Sequence, residues 1–167
     1  MNGSRSKTVL VVDDDVSIVH ALKKRLAHEG YRVLSALDGN EALSFARNDR
    51  VDAITLDVAL GGSLNGLDVA AALHRDPRTA AIPIVFVTGT ADDQFHEKCQ
   101  AVGGAFFLSK PYDARLVIRL LEGIFAKDEL AEVQRLSQAK RRQPIGASMN
   151  GPGSDKYPAA GLTYHSG

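Results

Sequence analysis

The chain has 167 residues, 20 Lys and Arg against 20 Asp and Glu, and a single cysteine. The balanced charge excludes a global field that would draw it to nucleic acid or to an anionic membrane, and one cysteine excludes an internal disulfide. The histidines show no Cys/His spacing suited to zinc, the opening "MNGSRSK" lacks the apolar centre of a signal peptide, and no apolar run nears the roughly 18 residues of a membrane span, so the expectation is a cytoplasmic protein of about one domain with no nucleic-acid and no membrane partner.

Residues 1–6 read as a flexible N-terminus. "TVLVVD" (8–13) is the first expected strand. "VSIVHALKKRLAHEG" then sets Val16, Val19, Leu22 and Leu26 at steps of three or four and stops at Gly30, a good C-cap residue, which predicts the first helix. "RVLSA" (32–36) reads as the second strand, and "DGNEALSFARND", with Ala42, Leu43, Phe45 and Ala46, as the second helix. "AITLD" (53–57) is the third strand. "NGLDVAAALHRD" carries Leu67, Val69, Ala70 and Leu73 on a third helix, "IPIVFVT" (82–88) is the fourth strand, and "ADDQFHEKCQAVGG" reads as a fourth helix that ends on two glycines. "AFFLS" (105–109) is the fifth strand.

After Pro111 a fifth helix is expected, with Leu116, Val117, Leu120, Leu121, Ile124 and Phe125 on a broad apolar stripe. "KDELAEVQRLSQAKRRQ" keeps helical propensity on a thin stripe of Leu130, Val133 and Leu136, so 128–142 is expected to be a helical extension. Its Lys140–Arg142 run reads as a solvated helix end. Residues 143–167 hold five glycines and three prolines and too little apolar surface to offset ordering entropy, and are read as a disordered tail. No second domain, repeat or DNA-binding helix-turn-helix fits in what remains.

The pattern is five βα units. Several strands are nearly continuous in apolar residues, which suits a parallel sheet covered on both faces, and right-handed crossovers then give an α/β, doubly wound, five-stranded parallel sheet with five helices. Ligands in such sheets bind outside the C-terminal strand ends. Asp13–Asp14, Asp57, Thr88 and Lys110–Pro111 all fall at those ends. Carboxylates gathered there repel unless a cation lies among them, and hard oxygen donors of this kind favour magnesium. A hydroxyl from Thr88 and an ammonium from Lys110 add the chemistry of a phosphoryl group. Each piece also has a plainer reading: Asp14 or Asp15 as a helix cap, Asp57 as a turn residue, Thr88 as an ordinary β-branched strand residue, Lys110 as a solvated charge before a helix. What favours a site is their conjunction on one sheet edge. Phosphoryl transfer to a carboxylate then asks for charge neutralisation and little else from the protein.

"VLVVDDD", "AITLD", "FVTGT" and "FFLSKPY", each at its strand end, make residues 7–127 resemble a response-regulator receiver domain of two-component signalling, of the single-domain, chemotaxis-receiver-like type. The resemblance implies a flavodoxin-like sheet of order 2-1-3-4-5. It implies Asp57 as phosphoacceptor, Mg2+ held by Asp14, Asp57 and the backbone carbonyl of Ala59 with Asp13 acting mainly through water, and Thr88 and Lys110 on phosphoryl oxygens. It further implies Phe107 as a switch aromatic acting with Thr88, Gly89 as the small residue after the threonine, and a cis bond at Lys110–Pro111. The loop "VALGGSLN" departs from the family by one extra residue and by Gly61 where a proline is common. The implied partners are a histidine kinase or histidine phosphotransfer protein and a downstream protein target, met through the face of the fourth helix, fifth strand and fifth helix. In that reading the chain is not an enzyme beyond its own phosphorylation and dephosphorylation. The alternative is an aspartyl-phosphate-forming phosphatase of the haloacid-dehalogenase-like kind, which wants a second aspartate where this chain has Ala59.

Overall fold

The computed structural model describes residues 6–89, 97–98, 101–102 and 106–141, with the backbone alone described over 132–141. The strands are β1 (Thr8–Val12), β2 (Arg32–Ala36), β3 (Ala53–Asp57), β4 (Ile84–Thr88) and β5 (Phe106–Ser109). All pair in parallel in the order β2-β1-β3-β4-β5, as expected for a doubly wound sheet. The helices among the described residues are α1 (Val16–His28), α2 (Gly39–Asn48), α3 (Gly66–Arg75) and α4 (Ala114–Arg141). The helix expected between β4 and β5 lies almost entirely outside the described residues, as do the expected flexible N-terminus, but for Ser6, and the tail at 143–167. By contacts, the chain divides at Glu129 and Leu130, inside the span of α4.

Burial on both faces follows from alternation along the central strands. In β1, Leu10 and Val12 join the core beneath α2 and α3, whereas Val9 and Val11 join the core beneath α1 and the first part of α4. β3 and β4 repeat the division: Ile54, Leu56, Ile84 and Phe86 lie on the first side, Ala53 and Val85 on the second. α1 contributes Val19, Leu22 and Leu26, and α4 contributes Val117, Ile118, Leu121, Ile124 and Phe125. Leu10, Leu26, Phe86 and Leu121 are among the largest side chains shut away completely, and removing any one of them typically costs about 2–5 kcal/mol.

Three described residues of the expected apolar stripes are exposed: Val16, Leu116 and, on the thin stripe of the extension, Leu130. Val16 is 63% exposed because it opens α1, one residue beyond the strand-end carboxylates and above the level of the sheet. Leu116 is 41% exposed although its neighbour Val117 is fully buried in the same turn of α4, so it lies at the outer edge of the stripe. The first strand stops at Val12 rather than at Asp13, and the first helix at His28, two residues before Gly30, whose φ of 88° turns the chain into β2.

Candidate functional site

The sheet ladder brings the expected residues to one edge. Asp57 is the last residue of β3 and lies opposite Val87 of β4, and Thr88 lies opposite Ser109, directly before Lys110. Backbone bonds carry the register just past the strands: Asp13 N–H donates to the Ala36 carbonyl at 3.3 Å, Val58 N–H to Val87 at 3.1 Å, and Lys110 N–H to Thr88 at 2.7 Å. The Lys110–Pro111 bond is cis.

Of the acidic run, each member has a different task. Asp15 is the N-cap of α1, its carboxylate accepting from Ser17 N–H at 2.8 Å and from Ile18 N–H at 3.4 Å. Asp13 is buried and points inward, with Oδ1 fixed by Asp15 N–H at 2.9 Å. Asp14 is exposed and reaches across to the loop after β3, where Gly61 N–H donates to its Oδ2 at 3.1 Å. Asp57, 4% exposed, accepts from Ala59 N–H at 3.1 Å through Oδ1. One helix cap therefore explains one aspartate and leaves the other two to the site.

Lys110 ties the buried pair together. Its Nζ donates at 2.8 Å to Oδ2 of Asp13 and at 2.8 Å to Oδ2 of Asp57. Burial disfavours the ammonium, but hydrogen bonds and attraction from both carboxylates outweigh it and hold its pKa at about 12. The cation is thus permanently charged at neutral pH. Tyr112 lies beside this group; burial first, then the negative field of Asp13, raises its phenol pKa.

Oxygens of Asp13, Asp14 and Asp57 all lie within 4.8 Å of one another. Three carboxylates at that spacing, two of them buried and only one ammonium among them, suit a small hard divalent cation, because Mg2+ takes oxygen donors and retains waters on its open side. The chemistry of the donor set therefore fits the expected metal. Thr88 is buried at the same edge. Phe107 is half-buried and stacks on Phe86, with centroids 6.0 Å apart and planes 11° from parallel.

Three contributors escaped sequence reasoning. Gly66 starts α3 so close to the end of β3 that a β-carbon would strike the Asp57 carbonyl oxygen, and its N–H donates to the Val58 carbonyl at 3.0 Å. Its only signal was a glycine directly after the Asn65 that caps α3. The Gly61–Asp14 bond joins residues far apart in sequence and had no local signal. Tyr112 was legible only as the residue after Pro111, and it lines an apolar cavity of about 520 Å³ with Ile18, Leu22 and Pro111. No described helix is long and apolar enough to cross a membrane.

Comparison with known proteins agrees with this arrangement. Protein PilH of Pseudomonas aeruginosa is 30% identical over 120 residues, which cover 71% of this chain and 97% of PilH. Response regulator PleD of Caulobacter vibrioides is 40% identical over 110 residues, 65% of this chain but 24% of PleD. The alkaline phosphatase synthesis transcriptional regulatory protein PhoP of Bacillus subtilis is 35% identical over 128 residues, and the match covers 51% of its length. The chain therefore spans about half of PhoP and about a quarter of PleD. Among solved structures, the chemotaxis protein CheY4 of Vibrio cholerae superposes with a TM-score of 0.68 at 29% identity, over 72% of this chain and 99% of CheY4. The model of the response regulator receiver domain matches residues 9–138. With the sheet order, the carboxylate cluster and the bridging lysine in place, the chain belongs to the response regulator receiver domain family.

Proposed function

We propose that this receiver takes a phosphoryl group onto Asp57 from a phosphohistidine of a histidine kinase or histidine phosphotransfer protein, and signals by binding a protein target in a phosphorylation-dependent way. The observation that carries the reading is Lys110, whose Nζ bridges Asp13 and the buried Asp57 at 2.8 Å each. A buried carboxylate held beside a fixed cation is a nucleophile whose product charge already has a partner.

In the transfer, the P–N bond to the donor imidazole breaks, its electron pair leaves with the imidazole, and an O–P bond forms to a carboxylate oxygen of Asp57. Asp13, Asp14, Asp57 and the backbone carbonyl of Ala59 would hold Mg2+, which when bound neutralises negative charge on the phosphoryl oxygens. Lys110 is already anchored by Asp13, so its ammonium meets a phosphoryl oxygen without reorganising. Thr88 supplies a hydroxyl to another. We assign Thr88 and Phe107 the role of relay, carrying the change at Asp57 toward the face made by the fifth strand, the fifth expected helix and the helix expected before them.

Incubation with Mg2+ and acetyl phosphate should add one phosphoryl group on an acid-stable, base-labile linkage, read by intact mass. Asp57→Asn should remove it. Full labelling of that variant, or mapping to another residue, overturns the assignment.

A further inference from the structure

The loop from Val58 to Asn65 is tied at both ends and exposed in the middle, where Ser63 Oγ accepts a long hydrogen bond from Asn40 Nδ2 at 3.4 Å. Gly66 N–H closes its base onto the Val58 carbonyl at 3.0 Å, and Asn65 and Asp68 lock its end in a reciprocal capping box. Leu60 is buried, and Val58 and Leu64 are half-buried. Gly61, Gly62 and Ser63 are all exposed, and Gly62 has a φ of 105° that side chains other than glycine's rarely adopt. In this exposed stretch the Gly61 N–H to Asp14 Oδ2 bond, 3.1 Å long, is what reaches back to the acidic cluster. Asp14 is also the exposed member of the three carboxylates.

We propose that Gly61 and Asp14 form a cation-released latch: the Gly61 amide and a divalent cation compete for the Asp14 carboxylate, so that metal binding releases Gly61 from the acidic cluster. The inference rests on the reading of Asp13, Asp14 and Asp57 as a magnesium site and adds to it a residue that sets the affinity of that site. The physical ground is charge. A backbone amide bonded to a carboxylate is a charge-assisted hydrogen bond, and its strength depends on the full negative charge of the acceptor. A cation on the same carboxylate draws off that charge, and the amide then loses little by turning to water, which is at hand because both residues are exposed. A proline at position 61 would have no N–H to offer, so the glycine is what makes the latch. The glycine also leaves no room to spare, since a β-carbon there would lie 3.1 Å from the same Oδ2.

The test is a calorimetric Mg2+ titration of the full chain and of Gly61→Pro, with amide NMR of the unsubstituted chain alongside. Gly61→Pro should bind Mg2+ about three- to tenfold more tightly, the range of an ordinary net hydrogen bond, since exposure to water offsets what the charge of the acceptor adds. In the unsubstituted chain the Gly61 amide should move to the shift of a solvent-bonded N–H, and its hydrogen exchange should speed up, with the same midpoint as the calorimetric binding. Equal or weaker binding by Gly61→Pro, together with a Gly61 amide whose exchange slows or stays constant on saturation, overturns the latch while leaving the magnesium site standing. Absence of Mg2+ binding by the unsubstituted chain overturns both. If the proline variant unfolds, the amide exchange of the unsubstituted chain decides alone.

Discussion

Gly66 is pressed against Asp57: a β-carbon on the glycine would collide with the Asp57 carbonyl oxygen and lie 2.7 Å from the Val58 Cα. The atoms in the way are backbone, and the strand end that carries the central carboxylate has no rotamer by which to yield. Gly66→Ala should therefore displace either α3 or the end of β3, at a cost of about 1–3 kcal/mol in urea unfolding, typical of an overpacked site. The same variant should lose phosphoryl labelling from acetyl phosphate more than Gly123→Ala, whose added carbon meets nothing within 4 Å. Equal stability and labelling for the two variants would show that the close approach is relieved without consequence.

Asp14 and Asp15 are neighbours with separable roles. Asp15→Ala removes the N-cap of α1 and should cost about 1 kcal/mol of stability while leaving Mg2+ affinity close to that of the parent. Asp14→Ala should do the reverse. Its carboxylate is exposed and, among the described residues, bonds an exposed loop amide, so stability should change by about 0.5 kcal/mol or less, whereas Mg2+ binding should weaken at least about tenfold. Paired urea and calorimetric titrations check both, and unchanged metal affinity in Asp14→Ala would remove it from the ligand set.

Asp76 gives a pH signature away from the site. Hydrogen bonds from the Arg78 guanidinium, then from the Arg78 N–H, with the charges of Arg78 and Arg47 behind them, hold its carboxyl at about 2 against an ordinary 3.8. Its folded pKa is depressed, so the stabilisation is present in full above the unfolded value and is lost as pH falls through the folded one. The gap in urea midpoint between the parent and Asp76→Asn should accordingly be constant from neutral pH to about pH 4 and should close by about pH 2. A gap that persists unchanged at pH 2 would place the stabilisation in the neutral geometry of the turn instead.

Much of this arrangement was legible in the sequence because parallel strands announce themselves. β2 and β3 matched their apolar runs residue for residue, and the chemistry-bearing residues Asp13, Asp57, Thr88 and Lys110 each follow or end such a run. Strand-end chemistry needs no long-range inference once the topology is fixed. What escaped is what lies in three dimensions only. The division of labour among Asp13, Asp14 and Asp15 depends on where the α1 backbone turns, and identical side chains carry no mark of it. Gly66 looks like any glycine until α3 is seen against β3. Val16 and Leu116 fit their helical stripes by spacing, yet both are exposed, Val16 as the first residue of α1 and Leu116 next to the fully buried Val117.

Phe107 and Phe86 frame the last prediction. They are register partners on β5 and β4, and their rings stack at 6.0 Å with the fully buried Phe86 beneath the half-buried Phe107. Two residues further along β4, Thr88 ends the strand beside Asp57. A phosphoryl group on Asp57 offers the Thr88 hydroxyl an ionised acceptor, and a shift of Thr88 changes the space available to the ring on the adjacent strand. The energy required is modest, because a two-state equilibrium moves only by the difference in affinity for its two states, and a new hydrogen bond to a charged group supplies about 1.5–3 kcal/mol. Beryllofluoride with Mg2+ should therefore move the aromatic resonances of Phe107 together with the backbone amides of β5 and the first turns of α4. Thr88→Ala should bind the same mimic yet leave the Phe107 signals in place, and Phe107→Leu should keep labelling on Asp57 while losing the change across β5. Phe107 resonances that stay fixed on saturation, while amides around Asp57 shift fully, would make this ring a permanent member of the core beside Phe86 and would send the signal out by another route.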